Sequence, residues 1–98
     1  MKQVDKTCLE VFQQRHTIDI LLAIKEVESI GFNQLQEKLD VNTLTLQRRL
    51  EDLQGKKFVE KKENLEDSRS YDYLLSRRGK TASAKLIAFK EFLIETTP

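Results

Sequence analysis

The sequence predicts a mainly helical fold with a small β-hairpin. Apolar residues recur at helical spacing over most of the 98 residues, whereas residues 58–61 and 70–75 are β-prone and approach a period of two. The segment between these two runs is polar, as expected for the turn of a hairpin. A chain of this length supports one modest core, so we expect a single domain over residues 1–98.

The N-terminal part of the chain is predicted to form two helices and a very short strand. A first helix over about residues 4–14 has apolar side chains at helical spacing, at Val4, Cys8, Val11 and Phe12. Thr17 precedes a strongly apolar helix over residues 18–29 and can cap it through its hydroxyl. Ile30 and Phe32, on either side of a glycine, favour the strand.

The next two elements are short helices with a tight connector between them. Asn33 is a candidate cap for a helix over residues 34–39. Asn42 or Thr43 then caps a fourth helix, which is expected to end near Gly55.

The hairpin leads into a last helix. Ser76 can cap this helix, which is predicted over about residues 77–95. It carries an apolar stripe with one further aromatic residue alongside, at Ala82, Leu86, Phe89, Phe92 and Leu93. Two short helices joined by a tight turn and followed by a hairpin describe a winged helix-turn-helix.

The fourth helix carries a candidate DNA-reading face. Leu46, Leu50 and Leu53 fall on one stripe that must face the core, so the opposite face points outward. Its N-terminal half offers the donors, acceptors and apolar groups that read base edges in a major groove, at Thr43, Leu44, Thr45, Gln47, Arg48 and Arg49. An ordinary solvated face is the alternative, although an outward Leu44 is costly in such a face.

The formal net charge of +1 is small for a nucleic-acid-binding domain, but it hides an uneven distribution. Residues 1–41 hold five basic and seven acidic side chains, whereas residues 42–80 hold ten basic and seven acidic ones. We expect the hairpin, as a wing, to grip phosphates or enter a minor groove through Lys61, Lys62, Ser68, Arg69 and Ser70. An ordinary charged surface is the alternative.

Several segments in the expected order resemble the MarR family of winged-helix transcription regulators, namely residues 50–53, 58–61, 67–69 and 75–79. Residues 31–35 and 73–79 are similar to motifs of the related HxlR family. The resemblance covers about residues 18–90.

The resemblance implies that Thr43 to Arg49 enter the major groove of double-stranded DNA. It also implies that Arg69 reaches a minor groove, with Asp67 holding its guanidinium in place, as a bidentate carboxylate partner can. Two positions depart from the family pattern. Lys57 stands where a glycine is usual before the strand, and Ser76 stands where a threonine usually opens the last helix.

The two terminal helices offer more apolar surface than one small core needs. We expect a homodimer that uses this surface, because two-fold symmetry is the usual way for a winged helix to gain DNA affinity. The candidate interface residues are Val4, Val11, Phe12, Leu86, Phe89, Phe92 and Leu93. Packing within the chain's own core is the alternative for these residues.

Enzyme and metal sites are not expected. The chain has one histidine and one cysteine, too few for a zinc cage or a Ser/His/Asp triad with a conventional base, and it has no Gly-rich phosphate loop. Cys8 is a candidate redox sensor, with a buried small hydrophobe as the alternative. No cofactor is expected, and no effector is assigned. No signal peptide or membrane span is predicted, which favours the cytoplasm.

The sequence thus predicts a sequence-specific regulator, expected to be a repressor, that binds double-stranded DNA as a homodimer. Two other functions fit the same fold. A winged helix can serve as a protein–protein interaction module, or as an architectural chromatin protein with little sequence preference.

Overall fold

A computed structural model of the protein describes residues 6–64, 66 and 70–97, with side chains from Cys8 onward. Five helices and three strands lie within this described part. In chain order they are α1 (Lys6–Gln13), α2 (Thr17–Val27), β1 (Ser29–Gly31), α3 (Phe32–Leu39), α4 (Thr43–Gly55), β2 (Val59–Glu63), β3 (Tyr71–Leu75) and α5 (Arg77–Thr96). This order confirms the predicted winged helix-turn-helix.

The three strands form one antiparallel sheet in the order β1-β3-β2. The hairpin pairs Lys61 with Tyr73 and Lys62 with Asp72, and β1 adds Ile30 opposite Tyr73 on the other side of β3. Tyr73 therefore occupies the middle of the sheet, and its ring is buried. The very short strand at Ile30 is confirmed.

The core lies between α2, α4 and the inner face of the sheet. α2 contacts the four other described helices as well as β1 and β3, as its strongly apolar composition requires. The predicted inward stripe of α4 is confirmed. The fully buried apolar side chains are Ile20, Leu21, Ile24, Leu35, Leu46, Leu50 and Leu53.

Two of the predicted helix caps are present. Asn42 begins α4, where its Oδ1 accepts a hydrogen bond of 3.0 Å from the Thr45 amide. Ser76 begins α5, where its Oγ accepts one of 3.0 Å from the Gly79 amide and donates one of 2.6 Å to the Lys57 carbonyl. Each side chain satisfies an amide that the helix itself leaves without an acceptor.

Two other cap predictions are wrong. Thr17 is buried in the first turn of α2, where its hydroxyl has no hydrogen-bond partner among the described residues, and His16 takes the cap position at φ 72°. Asn33 lies inside α3, which begins one residue earlier, at Phe32. There Gln34 Oε1 accepts a 3.3 Å bond from the amide of Gly31. Each helix therefore starts earlier than predicted, α2 at Thr17 and α3 at Phe32.

The end of α4 carries Lys57 at the usual glycine position. Lys57 has φ 66°, in the left-handed region where a side chain is strained and glycine is not. The amide of Phe58 donates to the Leu53 carbonyl at 2.9 Å, and that of Lys57 donates to Gln54 at 3.0 Å. These two bonds make a Schellman ending around a lysine, in a position that glycine usually occupies.

The terminal helices divide into a packed part and an exposed part. Val11 belongs to the core, which corrects its assignment to a subunit interface because this chain already covers its side chain. Phe12 is half-buried and meets the Phe58 ring edge-on, with centroids 4.9 Å apart. In α5, Leu86 is partly buried against the core, whereas residues 88–97 are all exposed. Val4 lies outside the described residues.

No helix in the described part of the chain combines the length and apolar character that crossing a membrane requires.

Candidate nucleic-acid interface

The outward face of α4 has the predicted composition. Leu44, Gln47, Arg48 and Glu51 are all exposed, and Leu44 presents 54% of its surface to solvent. These side chains are brought to one side of the helix because Leu46, Leu50 and Leu53 hold the other side in the core. The face combines an apolar group, an amide and two charges of opposite sign.

Thr43 and Thr45 lie at the start of α4 and are tied into the turn. The side-chain amide of Gln36 donates two hydrogen bonds. One goes to Thr43 Oγ1 at 2.7 Å, and the other goes to the Val41 carbonyl at 3.1 Å. Gln36 thus links α3 to the connector and to the first residue of α4. No local pattern indicates this role, because both partners come within reach only when the turn is folded.

Arg49 is a predicted DNA-reading residue of α4 that does not lie on the outward face of the helix. Its side chain is only 18% exposed, and its Nη1 donates to Asp52 Oδ2 at 3.1 Å. Its Nε is buried and has no hydrogen-bond partner among the described residues. Position 49 lies beside the core stripe, so the guanidinium lies along the helix against Asp52 and away from the outward face.

The two wing lysines lie on opposite faces of the sheet. Lys61 pairs with the buried Tyr73 and therefore shares the face that meets α4, while Lys62 pairs with Asp72 on the other face. The Nζ of Lys61 lies 4.2 Å from the centre of the Tyr71 ring, a cation–π contact that holds the ammonium in place. The structure thus brings Lys61, and not Lys62, alongside α4.

A cleft of about 530 Å³ separates α4 from the sheet. Gln47 and Glu51 line one wall, and Lys61, Tyr71 and Tyr73 line the other. Burial raises the pKa of the Tyr73 phenol, and the negative charge of Glu51 raises it further. The Glu51 carboxylate therefore acts on the cleft side of α4.

Asn64 shapes the base of the wing. Its backbone amide donates to the Ser70 carbonyl at 3.1 Å. Its side-chain Nδ2 lies 3.4 Å from both carboxylate oxygens of Asp72. Its Oδ1 also accepts a 2.8 Å bond from the amide of Glu66. Asn64 was not predicted from the sequence, although an Asn that ends a strand is typical of such a turn. The predicted wing-tip residues Asp67, Ser68 and Arg69 lie outside the described residues.

The profile of the HxlR-like helix-turn-helix family matches residues 11–97. The chain belongs to this family. The predicted resemblance is therefore confirmed for nearly the whole chain. A comparison of the sequence with curated proteins gives no match.

Solved structures similar to this HxlR-like protein are MarR-type winged-helix proteins. A mutant MarR from E. coli complexed with operator DNA has a TM-score of 0.70 at 19% identity, covering 87% of this chain and 76% of MarR. FabT from Streptococcus pneumoniae in complex with DNA has a TM-score of 0.77 at 18% identity, covering 84% of this chain. YusO from Bacillus subtilis has a TM-score of 0.78 at 16% identity, covering 92% of this chain.

The chain spans 57% of the FabT chain and 64% of the YusO chain. At these identities the likeness establishes the fold, which is that of the MarR-type winged-helix regulators.

In the HxlR-like protein, Cys8 is connected to the end of α4 through one arginine. Arg78 Nη2 donates to Cys8 Sγ at 3.1 Å and its Nη1 donates to the Lys56 carbonyl at 3.0 Å. The guanidinium carbon also lies 4.4 Å from the centre of the Phe58 ring. Cys8 is partly buried, so the structure places it between the two interpretations made from the sequence. It is neither sealed in the core nor isolated on the surface.

The second half of α5 presents an apolar face to solvent. Phe89 and Phe92 stack with their centroids 6.4 Å apart, and both are more than half exposed. Leu93 continues the same side of the helix at 47% exposure. These three side chains are each about half exposed and together form one apolar patch, the kind of surface that marks an interaction site.

Proposed function

We propose that this HxlR-like protein is a DNA-binding transcriptional regulator that acts as a homodimer in the cytoplasm and represses by occupying its site. One observation carries the proposal. Leu44, Gln47 and Arg48 stand exposed on the face of α4 that a helix-turn-helix turns towards a major groove. MarR and FabT, which share the fold, have each been solved with DNA.

Each exposed group of α4 matches a feature of base edges. Arg48 would pair with guanine O6 and N7, Gln47 with adenine N6 and N7, and Leu44 would contact a thymine methyl. An exposed leucine at this position is unfavourable in water, so a contact with a thymine methyl gives it a physical role.

Lys61 would supply a phosphate contact beside the bases. It lies on the wing face that meets α4, so a DNA backbone following α4 would pass this ammonium. Arg69 remains a proposed minor-groove residue, with Asp67 as its support. Ser68 and Ser70 are proposed to donate to nearby phosphates.

Dimer formation is proposed through α5. Phe89, Phe92 and Leu93 form an exposed apolar face, and two copies related by a two-fold axis would cover it on both subunits. Leu86 would contribute its partly exposed edge, and Phe12 would contribute from α1. A dimer would place two copies of α4 on one duplex, which compensates for the low net charge of each subunit.

The test is a titration against duplex DNA at two salt concentrations. Phosphate contacts make the affinity fall as salt rises, so salt-dependent binding supports the proposal. The absence of binding, or an affinity that does not change with salt concentration, contradicts the proposal and favours a protein–protein interaction module. Equal affinity for random duplexes and for duplexes selected from a random library would indicate an architectural protein.

Lys61→Ala and Lys62→Ala form a matched pair within this test. Both remove one positive charge from β2, but only Lys61 lies on the face that meets α4. We expect Lys61→Ala to weaken binding to all duplexes and to reduce the salt dependence by about one phosphate contact. Equal losses in both variants would mean that the two faces of the wing contribute alike.

A redox role for Cys8 is proposed as an addition to DNA binding. Peroxide would convert the thiol to a sulfenic acid with release of water, which changes the acceptor that Arg78 meets at 3.1 Å. Because Arg78 also holds the Lys56 carbonyl at the end of α4, we expect peroxide to alter DNA affinity. The same treatment should leave Cys8→Ser unchanged. If peroxide changes the DNA affinity of the wild type and of Cys8→Ser equally, Cys8 has only a structural role.

A further inference from the structure

Glu51 is an unexpected residue for a surface that approaches DNA. It is exposed on the outward side of α4, where its charge repels phosphates. Within the part of the chain that the structure describes, its carboxylate makes no ion pair with a lysine or arginine. A carboxylate in this position weakens general DNA affinity, so a specific role is needed to account for it.

The neighbour of Glu51 on the helix is Gln47, one turn earlier. Gln47 Nε2 donates to Glu51 Oε1 at 3.4 Å, the contact expected for side chains at positions i and i+4. A carboxylate accepts hydrogen bonds and cannot donate them, so the Gln47 amide must turn its NH₂ group, and not its carbonyl, towards Glu51. This bond favours one orientation of the Gln47 amide over the flipped one.

A Gln47 amide held in this way matches one base. When the Nε2 hydrogen trans to Oε1 bonds to Glu51, the other hydrogen and Oε1 stay side by side and are available to a base. Adenine presents an acceptor at N7 and a donor at N6 in the major groove, and this pair complements an amide N–H and C=O. An amide without a neighbour could rotate and would have to lose that freedom on binding.

We propose that Glu51 is a positioning residue that orients the Gln47 amide for adenine and so sets part of the sequence preference of α4. The proposal rests on the proposed function, since it concerns how that same face reads DNA. Glu51 acts through Gln47 and contacts no base. Its charge lowers affinity for every duplex, while its hydrogen bond raises the preference for adenine at one position.

The location of Glu51 supports this role. Its carboxylate lies on the cleft side of α4, close enough to Tyr73 to affect the phenol. Glu51 lines the same wall of the cleft as Gln47, whose side chain remains exposed. Arg48, the neighbouring outward residue, has no comparable carboxylate within 4.0 Å among the described residues.

The experiment uses the full chain and a duplex selected from a random library by the wild-type protein. Each adenine of that duplex is replaced in turn by 7-deazaadenine, which lacks the N7 acceptor. We expect one replacement to weaken wild-type binding about tenfold, at the lower end of the contribution of a bidentate base contact, because one of its two hydrogen bonds is lost. Gln47→Ala should lose this sensitivity.

Glu51→Gln is the decisive variant, because it keeps the size of the side chain, removes its charge, and can donate as well as accept, so it no longer selects one orientation of the Gln47 amide. We expect it to bind random duplexes more tightly than the wild type does, while its sensitivity to the same 7-deazaadenine falls several-fold. Gln54→Ala, on the same flank one turn later, is the matched control and should behave as the wild type. Equal thermal unfolding of Glu51→Gln and wild type separates this effect from a structural one.

Unchanged 7-deazaadenine sensitivity in Glu51→Gln overturns the inference while the proposed function stands. Loss of preference at a cytosine instead of an adenine also overturns it, since Glu51 would then contact a base itself. Failure of the wild type to bind any duplex in a salt-dependent way would refute the proposed function as well.

Discussion

Gly79, in the first turn of α5, lies directly against the backbone carbonyl of Phe58, where α4 passes into β2. A β-carbon at position 79 would overlap the Phe58 carbonyl oxygen and lie 3.0 Å from its carbonyl carbon. The same oxygen accepts a 3.1 Å hydrogen bond from the Ser76 amide, so it cannot move away cheaply. This contact explains physically why a glycine closes the Leu-Ser-Arg-Arg-Gly segment.

Gly79→Ala is therefore expected to destabilise the protein by about 3 kcal/mol or more, because backbone must shift to admit the methyl group. Gly55→Ala is the matched control. A β-carbon there meets nothing within 4 Å, and alanine favours the helix by about 0.5–1 kcal/mol. Urea unfolding of both variants measures the two effects. Changes in stability of the same sign in the two variants would contradict the contact between Gly79 and the Phe58 carbonyl.

Lys57→Gly is expected to stabilise the protein by about 0.5–1 kcal/mol. The substitution relieves the left-handed strain at φ 66°, and this gain exceeds the added flexibility of glycine in the unfolded chain. Lys56→Gly is the control, since its φ of −94° is ordinary and the change should only destabilise. Thermal unfolding distinguishes the two. A loss of stability in both variants would mean that the helix end is unstrained.

Arg48→Ala and Arg49→Ala should have different effects despite their adjacency. Arg48 is exposed on the outward face, so its removal should relax sequence preference with little change in unfolding temperature. Arg49 is mostly buried and paired with Asp52, so its removal should lower stability and leave preference largely intact. The affinity ratio between selected and random duplexes reports the first effect. If Arg49→Ala is stable but has a lower ratio of affinity for selected over random duplexes, Arg49 takes part in reading the DNA sequence.

The Glu26–Lys38 pair predicts a pH effect of known sign. The Lys38 ammonium, 2.7 Å from the carboxylate, holds the pKa of Glu26 below its ordinary value of 4.5, with a smaller contribution from Lys90. A lowered pKa stabilises the fold above pH 4.5, and this stabilisation is lost as the pH falls through the lower value.

Lys38→Met should raise the pKa of Glu26 in an NMR titration, whereas Lys25→Met should leave it nearly unchanged. The difference in stability between Lys38→Met and the wild type should be small, because the pair is exposed, and should vanish in acid. A stability difference that grows on acidification would contradict the assigned sign.

Phe89→Glu tests the proposed dimer. A charge in the exposed apolar face of α5 should shift the protein to monomer and weaken DNA binding, because each monomer would present only one copy of α4. Ile94→Glu is the control. Ile94 is equally exposed, but it lies about 140° around the helix from Phe89. Sedimentation measures the oligomeric state. A dimer that survives Phe89→Glu would place the interface elsewhere.

Features set by neighbouring residues could be predicted from the sequence. The inward stripe of α4, the caps at Asn42 and Ser76 and the hairpin depend on spacing and on side chains within a few positions. Such local rules hold wherever the tertiary structure agrees with them.

Features set by distant contacts could not be predicted. Arg49 turns inward because of the packing beside α4, and Lys61 differs from Lys62 only through the register of the sheet. Thr17 is buried because α2 packs against the other described helices and against β1 and β3. In each case the deciding neighbour lies on another element, whose position a single sequence does not encode in its local pattern.

The exposed half of α5 also affects how much helix the protein contains. Residues 88–97 are all exposed, so little packing holds this end of α5 in a helix, and a short helical segment without packing is only marginally stable in water. Association through Phe89 and Phe92 would therefore order the backbone as well as join two subunits. The helical signal in circular dichroism should then rise with protein concentration, so that secondary structure itself reports assembly.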